Sequence, residues 1–231
     1  IAAALVLFTR LPFWRIKAFN GPAEYFKQVI NYWAVVGWLT AGIMAGVLWI
    51  AAQILPYSIA IIVALLSRLL ITGALHEDGF ADFFDGFGGG TTRERILEIM
   101  KDSHIGTYGV ISLIFYFLFF YFFLENLGLH LACTVILVGD PLCKLISSQI
   151  TLFLPYARNA ETSKSKTVYK KMSLRTAVIS ALFGLLPFVL LLNIHFWAAI
   201  IFPIFVFLGL ILLMKRKAQG YTGDCCGAMF L

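Results

Sequence analysis

Charged residues are scarce in this sequence, since Asp, Glu, Lys and Arg together make up only 13% of its 231 residues. An ordinary soluble domain carries roughly 25% charged residues, whereas this chain is 61% hydrophobic and contains 22 Phe. The composition therefore excludes an ordinary soluble domain and a disordered chain, and it indicates a protein of the lipid bilayer. The net charge of +6 does not imply nucleic-acid binding, because cytoplasmic loops of membrane proteins collect Lys and Arg.

Cysteine is also scarce, and its spacing excludes two common kinds of site. The chain has four Cys and no C-x-x-C pair, so neither a disulfide framework nor a zinc site is predicted. The D-x-D-x-D-G pattern of a calcium-binding EF-hand loop is missing as well. A secretory signal peptide is not expected, because Arg10, Pro12 and Arg15 interrupt the first apolar run.

Long apolar stretches dominate what remains. A transmembrane helix needs about 20 predominantly apolar residues. Six stretches qualify, near residues 33–55, 57–75, 105–124, 130–155, 174–194 and 195–214, and the apolar residues from Cys225 onward predict the start of a seventh span. We therefore expect an all-α, polytopic transmembrane helical bundle that forms a single domain over residues 1–231.

The basic residues are distributed unevenly between alternate connections. Sixteen of the eighteen Lys and Arg lie in residues 1–32, 76–104, 156–175 and 215–224, whereas the connections between them contain none. By the positive-inside rule, the N-terminus and all four basic segments face the cytoplasm. We expect amphipathic helices on that face, including one near residues 92–100 with a capping box formed by Thr91 and Glu94.

An acidic segment at residues 76–86 is the most informative part of the chain. On a helix, Asp78, Asp82 and Asp85 fall within an arc of about 60°, and four phenylalanines lie on the opposite side. Like charges at this spacing repel, so we expect a compensating cation, and Mg²⁺ prefers oxygen ligands. About 10.5 Å of helix rise separates the first acid from the last, so two ions, or one ion with a further acid behind it, are both consistent with the spacing. A solvated acidic loop is the alternative interpretation.

Three further polar residues accompany the three aspartates. His76 and Glu77 precede the acids, and Glu77 lies off their face, so both are expected to support the ligands from behind. Asp102 is a fourth acid, located just before the third predicted span. Glycines at residues 88–90 and at 106 and 109 would let backbone N–H groups approach a phosphate.

The acidic segment also resembles the signature of a known family. Residues 73–86 (GALHEDGFADFFDG) and 100–109 (MKDSHIGTYG) are similar to the cobalamin synthase family, also called adenosylcobinamide-GDP ribazoletransferases. Residues 8–12, 154–158 and 220–224 extend the resemblance over most of the chain. The segment from Asp82 to Gly86 also resembles the opening of the CDP-alcohol phosphotransferase motif, although the Ala-Arg part of that motif is absent here.

The resemblance implies an integral enzyme of the prokaryotic inner membrane. Such an enzyme uses Mg²⁺ to join adenosylcobinamide-GDP to α-ribazole, or to its 5′-phosphate, and releases GMP. Metal binding would then be the role of Asp78, Asp82 and Asp85, and Asp102 would be the catalytic carboxylate, with Asp78 as the alternative. Substrate phosphates would be bound by basic residues, namely Arg10, Arg68, Arg158, Lys164 and Lys166. The alternative for these residues is that they obey the positive-inside bias or contact anionic lipid.

Two other functions compete with this one. An ion-coupled transporter would use the intramembrane charges Arg68, Asp140 and Lys144, although Asp140 and Lys144 stand four residues apart and could simply neutralise each other. A non-catalytic scaffold is the third reading. The acids cluster at one face and no internal repeat is visible, which favours the enzyme. The expected partners are the two substrates and the bilayer, with homo-oligomerisation left open.

Overall fold

The computed structural model describes residues 1–17, 22–158, 169, 172–191 and 194–231. The predicted all-α fold is confirmed for these residues. They form the helices α1 (Ala2–Phe8), α2 (Trp33–Ala51), α3 (Tyr57–Thr72), α4 (Leu75–Gly89), α5 (Arg93–Ile99), α6 (Thr107–Leu127), α7 (Leu129–Ser148), α8 (Ile150–Phe153), α9 (Leu174–Leu185), α10 (Ile201–Lys217) and α11 (Gly223–Phe230). Short 3₁₀ helices cover Phe13–Arg15, Ala23–Tyr32, Leu186–Leu190 and Ile194–Ile200.

Four helices in the described part of the chain are long and apolar enough to cross a membrane. They are Glu24–Ala51, Thr107–Leu127, Leu129–Phe153 and Phe196–Lys217. A fifth candidate consists of α3 and α4 together, which are bent by 89° where they join. The fifth predicted span corresponds to the shorter apolar helix Leu174–Leu190, so the count of six spans stays a prediction.

The bend between α3 and α4 follows from two consecutive residues in the left-handed conformation. Gly73 has φ of 64° and ends α3, and Ala74 has φ of 54°. Glycine adopts this conformation without the cost of about 1–2 kcal/mol that other residues incur, so Gly73 is the natural residue for the turn. The backbone N–H of Arg10 donates to the carbonyl of Ile71 at 2.6 Å, which holds the chain after α1 against the bend. As a result, α4 and the acids that it carries turn away from the axis of α3.

The predicted aromatic side of α4 is only partly buried. Phe83 and Phe87 stack with their ring centroids 4.3 Å apart and belong to the main core. Phe80 is half-buried, whereas Phe84 is 40% exposed. The core on this side is completed by α11, by the start of α2 and by Met100, which follows α5.

Helix α5 packs as its apolar stripe predicted, but it begins one residue later. Ile96 and Met100 are fully buried against α4. The N-cap is Thr92, whose side chain accepts a hydrogen bond from the backbone N–H of Arg95 at 3.3 Å. The predicted capping box of Thr91 and Glu94 is therefore wrong, because the extended backbone at Thr92 brings its own hydroxyl to the first turn.

Candidate functional site

Helix α4 carries all three predicted metal-binding acids, and their surroundings differ. Asp78 is exposed, Asp82 is half-buried, and Asp85 is only 8% exposed. The first two stand one helical turn apart, so their oxygens project from adjacent turns of the same side. Asp85 lies one turn further along and contacts another helix.

The carboxylate of Asp85 holds the beginning of α6. Its Oδ2 accepts a hydrogen bond from the N–H of Gly106 at 2.7 Å, and its Oδ1 accepts one from the N–H of Gly109 at 2.8 Å. Gly106 is the N-cap of α6, where N–H groups have no partner inside the helix and where negative charge is favourable. Two of the glycine N–H groups predicted to approach a phosphate, those of Gly106 and Gly109, are therefore bonded to Asp85.

Glu77 and Arg68 form a buried ion pair behind the acids. Arg68 Nη2 lies 2.5 Å from Glu77 Oε1 and also donates to the hydroxyl of Tyr116 at 2.6 Å. The guanidinium carbon sits 5.4 Å from the ring centroid of Phe120. Arg68 is thus neutralised inside the helical bundle, and the structure gives no support to its predicted contact with phosphate.

His76 packs among aromatic rings. Its ring centroid lies 4.9 Å from that of Phe230 and 5.3 Å from that of Trp33. The side chain is 2% exposed, and its Nε2 has no hydrogen-bond partner among the described residues. This position supports the junction of α2, α4 and α11 instead of the acids on α4.

The intramembrane charges Asp140 and Lys144 pair with each other, as their spacing allowed. Lys144 contacts the carboxylate of Asp140 and also donates to Thr40 Oγ1 at 2.7 Å. The hydroxyl of Thr40 in turn donates to Asp140 at 2.8 Å. The two opposite charges, both on α7, therefore neutralise each other where α7 contacts Thr40 of α2. This pairing removes the observation that favoured a transporter.

Two segments far apart in the sequence lie side by side next to α4. Tyr156 and Tyr221 form a parallel bridge, and the N–H of Ala157 donates to the carbonyl of Tyr221 at 2.8 Å. Residues 154–158 and 220–224 are the two outer segments of the family resemblance. The structure thus brings them together.

This junction places Arg158 beside Asp224, an acid that the sequence analysis did not select. Arg158 Nη1 lies 3.8 Å from Asp224 Oδ2, and its Nη2 donates to the carbonyl of Leu97 at 3.0 Å. Asp224 also borders α4, because a Cβ atom added at Gly79 would lie 3.0 Å from Cα of Asp224. The only sequence signal for Asp224 was its place in the 220–224 segment.

Asp102 lies in the loop that leads to α6. Its Oδ1 accepts a hydrogen bond from the N–H of His104 at 3.0 Å and lies 2.7 Å from Nδ1 of the same residue. The side-chain contact with His104, followed by the backbone one, lowers the pKa of Asp102 below its usual value. Met100 packs against α4 on one side of the loop and Gly106 binds Asp85 on the other, so the loop stays close to the acidic helix.

The remaining predicted phosphate ligands are less informative. The side chain of Arg10 is exposed and lies against Gly73 at the bend before α4. Lys164 and Lys166 lie outside the described residues. A cavity of about 420 Å³ opens beside Arg158 and is lined by basic and acidic side chains, including Arg93, Lys101 and Glu98.

The described residues contain no group of three or more His, Cys, Asp or Glu side chains placed to hold a metal ion. Asp78 and Asp82 nevertheless supply oxygen donors from adjacent turns. That donor set suits Mg²⁺, which is commonly held by one or two carboxylates together with substrate phosphates. The residues present therefore fit an ion that is completed by its substrate.

These features define a helical protein with apolar helices of membrane-spanning length and a carboxylate-bearing helix bordered by arginines. A family model described as cobalamin-5-phosphate synthase matches residues 1–231. An adenosylcobinamide-GDP ribazoletransferase of Shewanella frigidimarina is 38% identical, over 97% of this chain and 87% of the relative. Enzymes of the same name from Shewanella baltica and Shewanella woodyi are 33% and 35% identical over 97% of this chain, and over 86% and 88% of their own lengths.

The chain therefore belongs to the cobalamin-5-phosphate synthase family and is a transferase of cobalamin biosynthesis. No solved structure matches it.

Proposed function

We propose that the protein joins adenosylcobinamide-GDP to α-ribazole, or to its 5′-phosphate, in a Mg²⁺-dependent reaction that transfers the adenosylcobinamide phosphate group and gives adenosylcobalamin, or its phosphate, and GMP. The names of the relatives supply the donor and the ribazole group. The observation that carries the proposal is the placement of Asp78 and Asp82 on adjacent turns of α4, with Asp224 against Gly79 of the same helix and Arg158 beside Asp224.

The chemistry is a displacement at phosphorus. A ribose hydroxyl oxygen bonds to the phosphorus that is linked to cobinamide, and the bond from this phosphorus to the bridging oxygen breaks. GMP leaves with the bridging oxygen, and the hydroxyl proton passes to a carboxylate. Such transfers depend mainly on alignment of the nucleophile and on neutralisation of charge at the phosphate oxygens.

Asp78 and Asp82 are the proposed metal ligands. A bound Mg²⁺ would neutralise negative charge on the diphosphate oxygens. The oxygens of Asp85 accept hydrogen bonds from α6, so its metal-binding role stays a prediction and its observed contribution is to position α6.

Asp102 is the proposed proton acceptor, with Asp78 as the alternative. The hydrogen bonds from His104 lower the pKa of Asp102, so this carboxylate is ionised at neutral pH, as an acceptor requires. The same hydrogen bonds make Asp102 a weaker base than a carboxylate that lacks such bonds. A shift of the pH profile on removal of His104 separates the two candidates.

Arg158 is the proposed phosphate contact that the structure supports best, because it lines a cavity and lies beside the start of α11. Arg10, Lys164 and Lys166 stay predicted contacts. We further propose that the acidic segment and the N-terminus face the cytoplasm of a prokaryotic inner membrane, since the basic segments all lie on that side of the predicted topology.

The test is replacement of Asp82 by Asn, assayed by release of GMP from adenosylcobinamide-GDP with α-ribazole and Mg²⁺. We expect turnover to fall by about 100-fold or more, the order observed when one group that stabilises transition-state charge is removed. Glu125→Gln is the control, because Glu125 is exposed at the far end of α6. Unchanged turnover in Asp82→Asn would refute the metal-binding role of Asp82, and a wild-type protein that releases no GMP would refute the proposed reaction.

A further inference from the structure

A single arginine connects three parts of the structure around α4. The side chain of Arg158 is only 6% exposed. Its Nη2 donates to the carbonyl of Leu97 on α5, and its Nη1 faces Asp224 Oδ2 at 3.8 Å. A guanidinium held from two directions has its plane defined, which matters because arginine recognises phosphate through a planar fork of N–H donors.

Asp224 is itself held in place. The hydroxyl of Thr222 donates to Asp224 Oδ2 at 3.2 Å, and Thr222 also caps α11. The backbone of Asp224 lies against Gly79 on α4. The carboxylate that faces Arg158 therefore has a defined position relative to the acidic helix.

The surroundings of Arg158 suit an anionic group. The cavity of about 420 Å³ that it lines also has Arg93 and Lys101 in its wall, together with Glu94 and Glu98, so basic side chains outnumber acidic ones by three to two. Arg93 donates to the carbonyls of Ala157 and Ala218, so it joins α5 to the residue before Arg158 and to the end of α10. Arg158 thus lies between this cavity and the first turn of α11.

We infer that Asp224 is a positioning residue for the reaction: it holds the guanidinium of Arg158 in the orientation that binds the diphosphate of the donor substrate. The inference rests on the proposed function, because it takes the donor to be a nucleoside diphosphate conjugate. Asp224 acts through Arg158 and does not itself contact the reacting atoms. The competing explanation is that the pair merely fastens α11 to residues 154–158.

Asp224→Asn tests the inference, because the amide has the same shape and removes the charge that faces Arg158. We expect KM for adenosylcobinamide-GDP to rise about tenfold, the order expected for one misplaced charge-assisted contact. We expect kcat and KM for α-ribazole to stay within about twofold. The thermal unfolding midpoint in detergent should not change.

A double-mutant cycle supplies the second measurement. Arg158→Lys cannot reproduce the planar fork, so it should raise the same KM, and Asp224→Asn should add nothing to it. Direct binding of GDP without turnover should show the same coupling. Additive effects on KM, a fall in kcat at constant KM, or a lowered unfolding midpoint with KM unchanged would each overturn the positioning role.

GMP release by the wild-type protein distinguishes the two possible failures. If the wild-type protein releases GMP while Asp224→Asn leaves KM and GDP binding at wild-type values, only the positioning role of Asp224 fails. If the wild-type protein releases no GMP, the proposed function fails, and the coupling between Asp224 and Arg158 can still be measured by GDP binding.

Discussion

Asp85 accepts a 2.7 Å hydrogen bond from the backbone N–H of Gly106, and this contact joins the acidic helix α4 to the first turn of α6. A second bond, from Gly109, engages the other carboxylate oxygen. Both glycines lie where a Cβ atom would collide with the carboxylate. An acid selected from the sequence for metal binding therefore also acts as the cap of a membrane-length helix.

Asp85→Asn should destabilise the protein by about 1–2 kcal/mol, the upper part of the range for losing a helix cap. The amide retains one acceptor oxygen and turns an N–H₂ group toward the second donor. Thermal unfolding in detergent measures the effect. Asp78→Asn is the comparison, because Asp78 is exposed on the same helix, and it should leave the unfolding midpoint close to that of the wild type. Equal midpoints for the two variants would contradict the capping role of Asp85.

Glu77→Gln should destabilise the protein by about 3–5 kcal/mol, because it leaves the buried guanidinium of Arg68 without a compensating charge. The matched control is Glu98→Gln. Glu98 pairs with Arg95 at 2.7 Å on the surface of α5, and exposed pairs contribute about 0–1 kcal/mol. Denaturant unfolding in detergent measures both variants. If Glu77→Gln lowered the free energy of unfolding as little as Glu98→Gln, another group would have to compensate the positive charge of Arg68.

Lys144→Met alone should destabilise the protein by about 3–5 kcal/mol, because it leaves Asp140 charged and nearly buried. The double variant Asp140→Asn/Lys144→Met should recover most of that stability, since both charges are then absent. GMP release by the double variant should stay within about threefold of wild type. Loss of turnover in a stable double variant would place this pair in the reaction.

His104→Ala should raise the pKa of Asp102, because it removes the side-chain hydrogen bond from His104 that contributes most to lowering this pKa, while the backbone N–H bond remains. A proton acceptor must be ionised, so activity is lost as the pH falls through its pKa. If Asp102 is the acceptor, the acidic limb of kcat/KM therefore moves to higher pH in His104→Ala. If Asp78 is the acceptor, the limb stays where it is, and the pH dependence of GMP release decides between them.

Gly79→Ala should cost about 1–3 kcal/mol and reduce turnover, because the new methyl group would press on the backbone of Asp224, which cannot rotate away. Gly89→Ala on the same helix is the control. Its nearest neighbour would be Ile99 Cδ1 at 3.5 Å, an ordinary contact, and alanine favours the helix by up to about 1 kcal/mol. Equal stability of the two variants would contradict the close approach of α11 to α4.

The helical nature of residues 75–89 could be predicted from the sequence, because the spacing of acids and aromatic rings at helical periodicity is a local property. The apolar helices were predictable for the same reason, and the outer segments near Arg158 and Asp224 could be recognised as similar to the family. The pairing of Asp140 with Lys144 was also anticipated, since residues four apart on one helix face each other.

The partners of Arg68, Asp85 and Arg158 could not be predicted in this way. Each of these side chains pairs with a residue on another element, and composition and periodicity carry no information about which elements meet. Arg68 was expected to bind phosphate and instead pairs with Glu77, because the 89° bend between α3 and α4 brings Glu77 within reach of Arg68.

The sequence by itself thus determined that this chain is all-helical and of membrane type with its acids on one helix, since hydrophobicity and helical spacing are local properties of the chain. Its resemblance to a known family indicated a transferase. Only the tertiary structure decided what each charged side chain does. It turned Asp85 toward α6, enclosed Arg68 with Glu77 and brought Asp224 to Arg158. The physical reason is that a charge removed from water needs a partner, and the packing of the helices decides which partner is within reach.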